Sequence, residues 1–381
     1  MKKSILLFCS VLLLSCAKYV ADIHTTHCSS ATNGFSYSRG RDLDGVLQQI
    51  VVNGTPGAVM AVQTDEGLWE TAKGYAKIED KTPMQLCQLQ YLQSISKTYL
   101  AVAILKLSEQ GRIVLDTPIK KYLPQKYYRY LGDAENITVR TLLNHTSGIP
   151  DYNFRPEYVS YLLQHPDHYF VPQDYLKYIN GKKPLFPPGS RHSYSNINYV
   201  ILSLIADSIS GNHAKLISET IFKPLGLVST YYRDDSGYLR YAELVNSYWD
   251  RYSNGIVENV SRLQRMNVST LVGDDGIVTT PGDAIKFLKG LVEGKLLADS
   301  TFQQMKTWVR NKQGEPVYGL GLHRRTINGY EAYGHSGGGI GAGCELYYFP
   351  AKKLYYFIAI NLGTVTESPL HGQLGKLRSE L

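Results

Sequence analysis

Three short stretches carry residue types that do chemistry. The first is Ser94-Ile95-Ser96-Lys97, at the head of the apolar run Leu100 to Leu107. A helix starting here sets Ser94 and Lys97 on one face, an amine beside a hydroxyl near the positive end of the helix dipole. A serine hydroxyl is a weak nucleophile until a base takes its proton, and a lysine desolvated by apolar walls can supply that base. The spacing alone is not diagnostic, because Ser15 and Lys18 repeat it. The second stretch is Tyr194-Ser195-Asn196, after Phe186-Pro187-Pro188-Gly189; Tyr178-Ile179-Asn180 and Tyr252-Ser253-Asn254 share its pattern. The third is His335-Ser336-Gly337-Gly338, glycine-rich enough for backbone to approach a ligand. A phosphate-cradling loop is the rival reading there, but its lysine and Ser/Thr are absent.

These stretches need elements to hold them. A helix is expected from Asp42 to Val52, then strands at Ala58 to Gln63 and Leu68 to Gly74. The Ser94 helix follows and ends at Gly111-Arg112. Beyond it the chain reads as mostly helical. Helices are expected from Val139 (capped by Thr138), at Pro156 to Gln164, Gln173 to Ile179, Tyr199 to Ser210, His213 to Ile221 and Pro281 to Glu293. Strand patterns return at Tyr318 to Leu322, Ala332 to His335, Cys344 to Phe349 and Leu354 to Asn361, and a helix from Pro369 to Leu381 closes the chain. Strands at both ends around a helical middle predict an α+β sandwich: one antiparallel sheet flanked by helices, with an inserted helical lobe. The expected organisation is one domain over 39–381, its sheet lobe 39–115 and 276–381 and its helical lobe 116–275.

Composition agrees with a globular protein: 43% hydrophobic and 19% charged among 381 residues. Tyrosine is over-used, at 30 residues. Ten of them between Tyr122 and Tyr178 either build core and surface or line an amphipathic pocket. The net charge of +7 is mild, with no basic run, so nucleic acid is not an expected partner.

Lys2 and Lys3 precede the apolar run Ile5 to Leu14, too short to span a bilayer but suited to a signal peptide over 1–15. The sequence Leu13-Leu14-Ser15-Cys16 resembles a bacterial lipobox, which implies lipidation of Cys16, a tether over 16–38 and attachment to the cell envelope. An ordinary secretory signal containing a cysteine is the alternative. Cys28, Cys87 and Cys344 then remain, either one disulfide with one thiol or three buried thiols. No metal spacing appears, and no cofactor is expected.

Order and context together resemble the serine β-lactamase-related family, which holds class C β-lactamases, D-alanyl-D-alanine carboxypeptidases, esterases and acyltransferases. Ser94-x-x-Lys97, Tyr194-x-Asn196 and His335-x-Gly337 stand in the family's order. Gly111 to Asp116, Ile137 to Gly148, Pro188-Gly189, Asp275 to Asp283 and Tyr318 to Gly321 are also family-like, so the likeness spans residues 42 to 381. It implies that Ser94 forms an acyl-enzyme, that Lys97 accepts or steers the hydroxyl proton, and that Tyr194 relays it. It further implies that Asn196 orients Lys97 and the substrate amide, and that the N–H groups of Ser94 and Gly338 form the oxyanion site. Two departures stand out. His335 replaces the lysine of many members and is mostly neutral at pH 7, so recognition of a β-lactam carboxylate is weakened. Gln93 is bulkier than the small residue expected beside the nucleophile, and narrows the pocket or adds a polar contact. His145 with Asp151 suggests a catalytic triad, but the resemblance makes His145 to Gly148 a structural turn. Asp283 reads as a first-turn acid. The expected function is hydrolysis of an ester or amide, with β-lactamase activity weak at most. Transfer of the acyl group to a hydrophobic, sterol-like alcohol is the alternative, and a non-turnover sensor the weakest reading.

Overall fold

A computed structural model describes residues 21–28, 37–131, 135–233 and 238–372. The expected signal peptide, Cys16 and most of the expected C-terminal helix lie outside these residues.

Strands β1 (Gly57–Gln63), β2 (Leu68–Lys77) and β3 (Thr82–Pro83) come from the N-terminal side. From the C-terminal side come β4 (Val309–Arg310), β5 (Pro316–Tyr318), β6 (His323–Ile327), β7 (Tyr330–Gly338), β8 (Gly343–Phe349) and β9 (Leu354–Ile360). They form one antiparallel sheet in the order β3-β2-β1-β9-β8-β7-β6-β5-β4, closed across the chain ends by Ala58 opposite Ile360. In β1, Ala58, Met60 and Val62 point to one face, where they meet Leu43, Leu47 and Ile50 of helix α1 (Gly40–Val52). Val59 and Ala61 point to the other, into the core shared with helix α2 (Ser96–Glu109). Alternation in a strand buried on both faces thus builds two cores from one sequence.

Helix α2 has no polar stripe; every residue from Ser96 to Leu105 is buried. Ser94 is not in it, but in a 3₁₀ turn, Gln93–Ile95, that leads into it. The helical lobe follows with α3 (Val139–Leu143), α4 (Pro156–Gln164), α5 (Pro172–Lys177), α6 (Ile197–Ser210) and α7 (His213–Ile217). Thr138 caps α3 as expected. The α7 pattern carries past Ile217 as a π turn, Ser218–Phe222. Two helices were not legible as such: α8 (Ser261–Thr270) and α10 (Asp299–Met305), on either side of α9 (Pro281–Val292). The chain after Ser368 makes a short 3₁₀ turn, Pro369–His371, before the described residues end.

One expectation needs correction, and one open alternative is decided. Residues 21–28, assigned to a tether, are docked: Thr26 N–H donates to Ala242 O at 2.7 Å, and Asn246 receives Ile23 N–H at 3.0 Å. A disulfide from Cys28 to Cys87 fixes the same segment, while Cys344 is a buried thiol. The crowded tyrosines are chiefly core. Tyr152, Tyr158 and Tyr175 are buried against one another, with centroids 4.8 to 6.1 Å apart. No helix among the described residues is long and apolar enough to cross a membrane.

Candidate active site

The 3₁₀ turn at the head of α2 presents Ser94 at the junction of the two lobes, half-buried, with Lys97 fully buried behind it. Lys97 Nζ donates to Ser94 Oγ at 3.0 Å and to the backbone oxygen of Asp274 at 2.6 Å. The segment holding Asp274 is pinned to α2 a second time, since Ile277 N–H donates to Ser96 Oγ at 3.1 Å. Lys97 Nζ also lies 5.2 Å from the centre of the Tyr194 ring. The Tyr194 hydroxyl is buried and meets no partner at full hydrogen-bonding geometry. Ser94 and Lys97 are nonetheless close enough to act on its ionisation.

Charge around Lys97 decides its state. Burial, the largest influence, pulls its pKa down, but Tyr194, Asp274 and Asp275 together outweigh it, and the net direction is up. The resting amine is therefore an ammonium, not the neutral base the apolar walls suggested. Burial raises the Tyr194 phenol, opposed by the Lys97 charge and then by contacts to Ser94 and Lys97. Resting Tyr194 and Lys97 thus both hold their protons, and the pair must release one before either can accept from Ser94.

Two buried carboxyls, Asp274 and Asp275, and a half-buried one, Asp151, face this group. Asp274 is pushed up to about 6 and Asp275 to about 7, each chiefly by burial. Tyr152 OH donates to Asp274 Oδ2 at 2.9 Å, while Oδ1 is buried without a partner. Asp151, also raised by burial, accepts from Asn196 N–H and Nδ2, both at 2.9 Å. The Asn196 amide nitrogen is thus engaged by Asp151, and the side chain makes no hydrogen bond to Lys97, contrary to expectation.

His145 does not join a triad. Its φ of +58° makes the turn after α3, and its Nδ1 accepts from Ser195 N–H at 3.2 Å. Its ring lies 4.2 Å from that of Tyr194, so His145 positions the segment that carries Tyr194. Asp283 accepts from Ser229 N–H in the first turn of α9, a structural role.

The far wall is the end of β7. Residues His335 to Gly338 run past the start of β6, since His323 pairs with Gly334, and Gly338 is exposed at the cleft edge. The His335 ring is 6.3 Å from that of Tyr194, so all three stretches converge. Its Nε2 bonds Tyr318 OH at 2.9 Å and its Nδ1 bonds Ser336 O at 2.6 Å. Burial, and then the Lys97 charge, push it down to about 3. A neutral imidazole with both nitrogens engaged offers a substrate no charge. A cation does stand nearby: Arg325 Nη2 donates to Ser336 Oγ at 3.3 Å, with Glu345 3.6 Å from its other nitrogen. Asp274 and Arg325 carried no distinguishing pattern in the sequence; Asp274 acts on Lys97, 177 residues away, and Arg325 on Ser336 of the neighbouring strand.

Comparison with known proteins agrees with this geometry. The family model described as Beta-lactamase matches residues 43–373. Penicillin-binding protein 4* of Bacillus subtilis is 28% identical over 285 residues, 70% of this chain and 58% of that protein. Protein flp of Staphylococcus aureus is 27% identical over 199 residues, 51% of this chain and 39% of that protein. The matches therefore span from about two-fifths to somewhat over half the length of these relatives. Among solved structures, a D-stereospecific amidohydrolase from Streptomyces sp. superposes with a TM-score of 0.74 at 28% identity, covering 85% of this chain and 94% of that one. The D-amino acid amidase of Ochrobactrum anthropi superposes with a TM-score of 0.76 at 23% identity, over 90% of this chain and 98% of that one, and so speaks to the fold. The chain belongs to the beta-lactamase family, and its fold is that of the penicillin-binding proteins and D-amino acid amidases.

Proposed function

We propose that this chain is a serine hydrolase that forms an acyl-enzyme on Ser94 and acts on an amide or ester, with D-amino acid amides and D-alanyl peptides the first substrates to try. The observation that carries the reading is Lys97 Nζ at 3.0 Å from Ser94 Oγ, with Tyr194 beside both. Once the Lys97–Tyr194 pair has released a proton, Ser94 Oγ attacks the carbonyl carbon and its own proton passes to that pair. The proton then goes to the departing amine or alkoxide as the acyl bond to it breaks. The N–H groups of Ser94 and Gly338 serve the developing oxyanion, and losing one such donor typically costs on the order of 10²–10³ in rate. The likeness to the D-stereospecific amidohydrolase supports this choice of substrates. A neutral His335 weighs against efficient β-lactam hydrolysis. Export and anchoring at Cys16 belong to the same proposal; the Cys28–Cys87 disulfide accords with an oxidising compartment.

The test is a product assay with a D-phenylalanine amide, a D-alanyl-D-alanine peptide and a simple aryl ester, each with and without added long-chain alcohol. Released free acid supports the hydrolase. Acyl-alcohol as the main product would replace it with the acyltransferase reading, and no product from any donor would reject both.

A further inference from the structure

Gln93 has a backbone that glycine would occupy more easily, at φ +48°, yet it carries a long side chain that is 2% exposed. That side chain lies against the end of β7. A Cβ added at Gly339 would stand 2.4 Å from Gln93 Oε1, and one at Gly337 would stand 2.7 Å from Gln93 Cβ. The two glycines are the space that Gln93 fills. Its Nε2 is buried and has no hydrogen-bond partner, so packing, not polar contact, holds it there. Leu92 is pinned on both sides: its N–H donates to Ile277 O at 3.0 Å, and its carbonyl accepts from the Cys344 thiol at 3.1 Å. The turn beyond is tied to itself and to the next loop through Gly339 N–H to Ala342 O and Thr364 N–H to Gly339 O.

We propose that Gln93 is a positioning residue, a strut that fixes the separation of the two oxyanion donors. It is one peptide before the Ser94 N–H, and its amide rests on the residue after the Gly338 N–H. The strut rests on the reading of Ser94 as nucleophile. Of the two roles the sequence left open for Gln93, it takes up neither as such: its side chain packs on Gly337 and Gly339.

The experiment uses the full chain with a D-amino acid amide and an aryl ester. Q93G is expected to fold, since glycine accepts φ +48° without strain, with a lower melting temperature from the space the buried side chain leaves. Its kcat should fall about 10- to 100-fold, part of what deleting a whole oxyanion donor costs, with KM within about twofold. Q93M, similar in length but without the amide, should restore most of that rate. A Q93G enzyme with unchanged kcat overturns the strut. A Q93M enzyme as slow as Q93G overturns it too, since the amide's polar groups would then be what matters. S94A is run beside them: if it stays active, the fault lies with the nucleophile assignment, not with Gln93.

Discussion

Replacing Asp274 with asparagine should stabilise the protein above about pH 6 and move its pH–rate profile to lower pH. Asp274 sits behind Lys97, and folding lifts its pKa from an ordinary 3.8 to about 6, mainly through burial. A carboxyl with a raised folded pKa keeps its proton longer in the folded chain. Its contribution to stability is thus greatest at low pH and is lost as pH rises from about 4 to about 6. Roughly two pH units at about 1.4 kcal/mol each make the loss about 3 kcal/mol. Asparagine keeps an acceptor for Tyr152 and carries no charge to bury. Because Asp274 also raises Asp275, the substitution should ease the second carboxyl as well. Chemical denaturation at pH 4, 6 and 8 reads this directly. The advantage of Asp274→Asn over wild type should grow by about 3 kcal/mol between pH 4 and pH 8. The counter-charge on Lys97 goes with it, so the pH–rate profile should move to lower pH, against a background of Asp151, Asp275, Tyr194, His145 and His335 around the same amine. A stability difference that does not change with pH would refute the reasoning.

Other expectations follow from the same geometry. The His335 imidazole should stay neutral down to pH 5 by NMR, given a pKa of about 3; a midpoint near 6 would show that its burial is overstated. Reducing the Cys28–Cys87 disulfide, which spans 59 residues, should cost up to about 4 kcal/mol by loop entropy while leaving the Ser94 site assembled. Unchanged denaturation under reductant would mean that the docked segment is held by its hydrogen bonds alone. Tyr194→Phe should fold normally and lose at least about 100-fold in acylation rate, whereas Tyr252→Phe, at an exposed position outside the site, should match wild type in the same assay. Equal rates for the Tyr194 variant and wild type would remove the phenol from the proton path.

Much of this arrangement was legible where one element carries its own signal. The apolar run of α2, the short apolar strands at both chain ends and the Thr138 cap each declare themselves locally. Helix α8 did not, because Gln264, Asn267 and Thr270 are polar yet buried. Asn267 and Thr270 are satisfied by Tyr158 and Tyr175 from the lobe core. Strand β6, His-Arg-Arg-Thr-Ile, hides its character under charge: Arg324 pairs with Glu331 and Arg325 with Glu345. Within the site, residue types were readable but their states were not. Lys97 is held charged by Tyr194 first and then by the carboxyls of Asp274 and Asp275, all far along the chain, and Asn196 turns to Asp151 across 45 residues. Such pairings depend on the lobes closing on each other, which no local pattern encodes.

The central claim is that Ser94 is acylated. Intact-mass spectrometry after brief exposure of wild type, Ser94→Ala and Lys97→Ala to an activated ester tests it most directly. One acyl mass should appear on wild type, none on Ser94→Ala, and little on Lys97→Ala. An adduct of equal yield on Ser94→Ala would contradict the account.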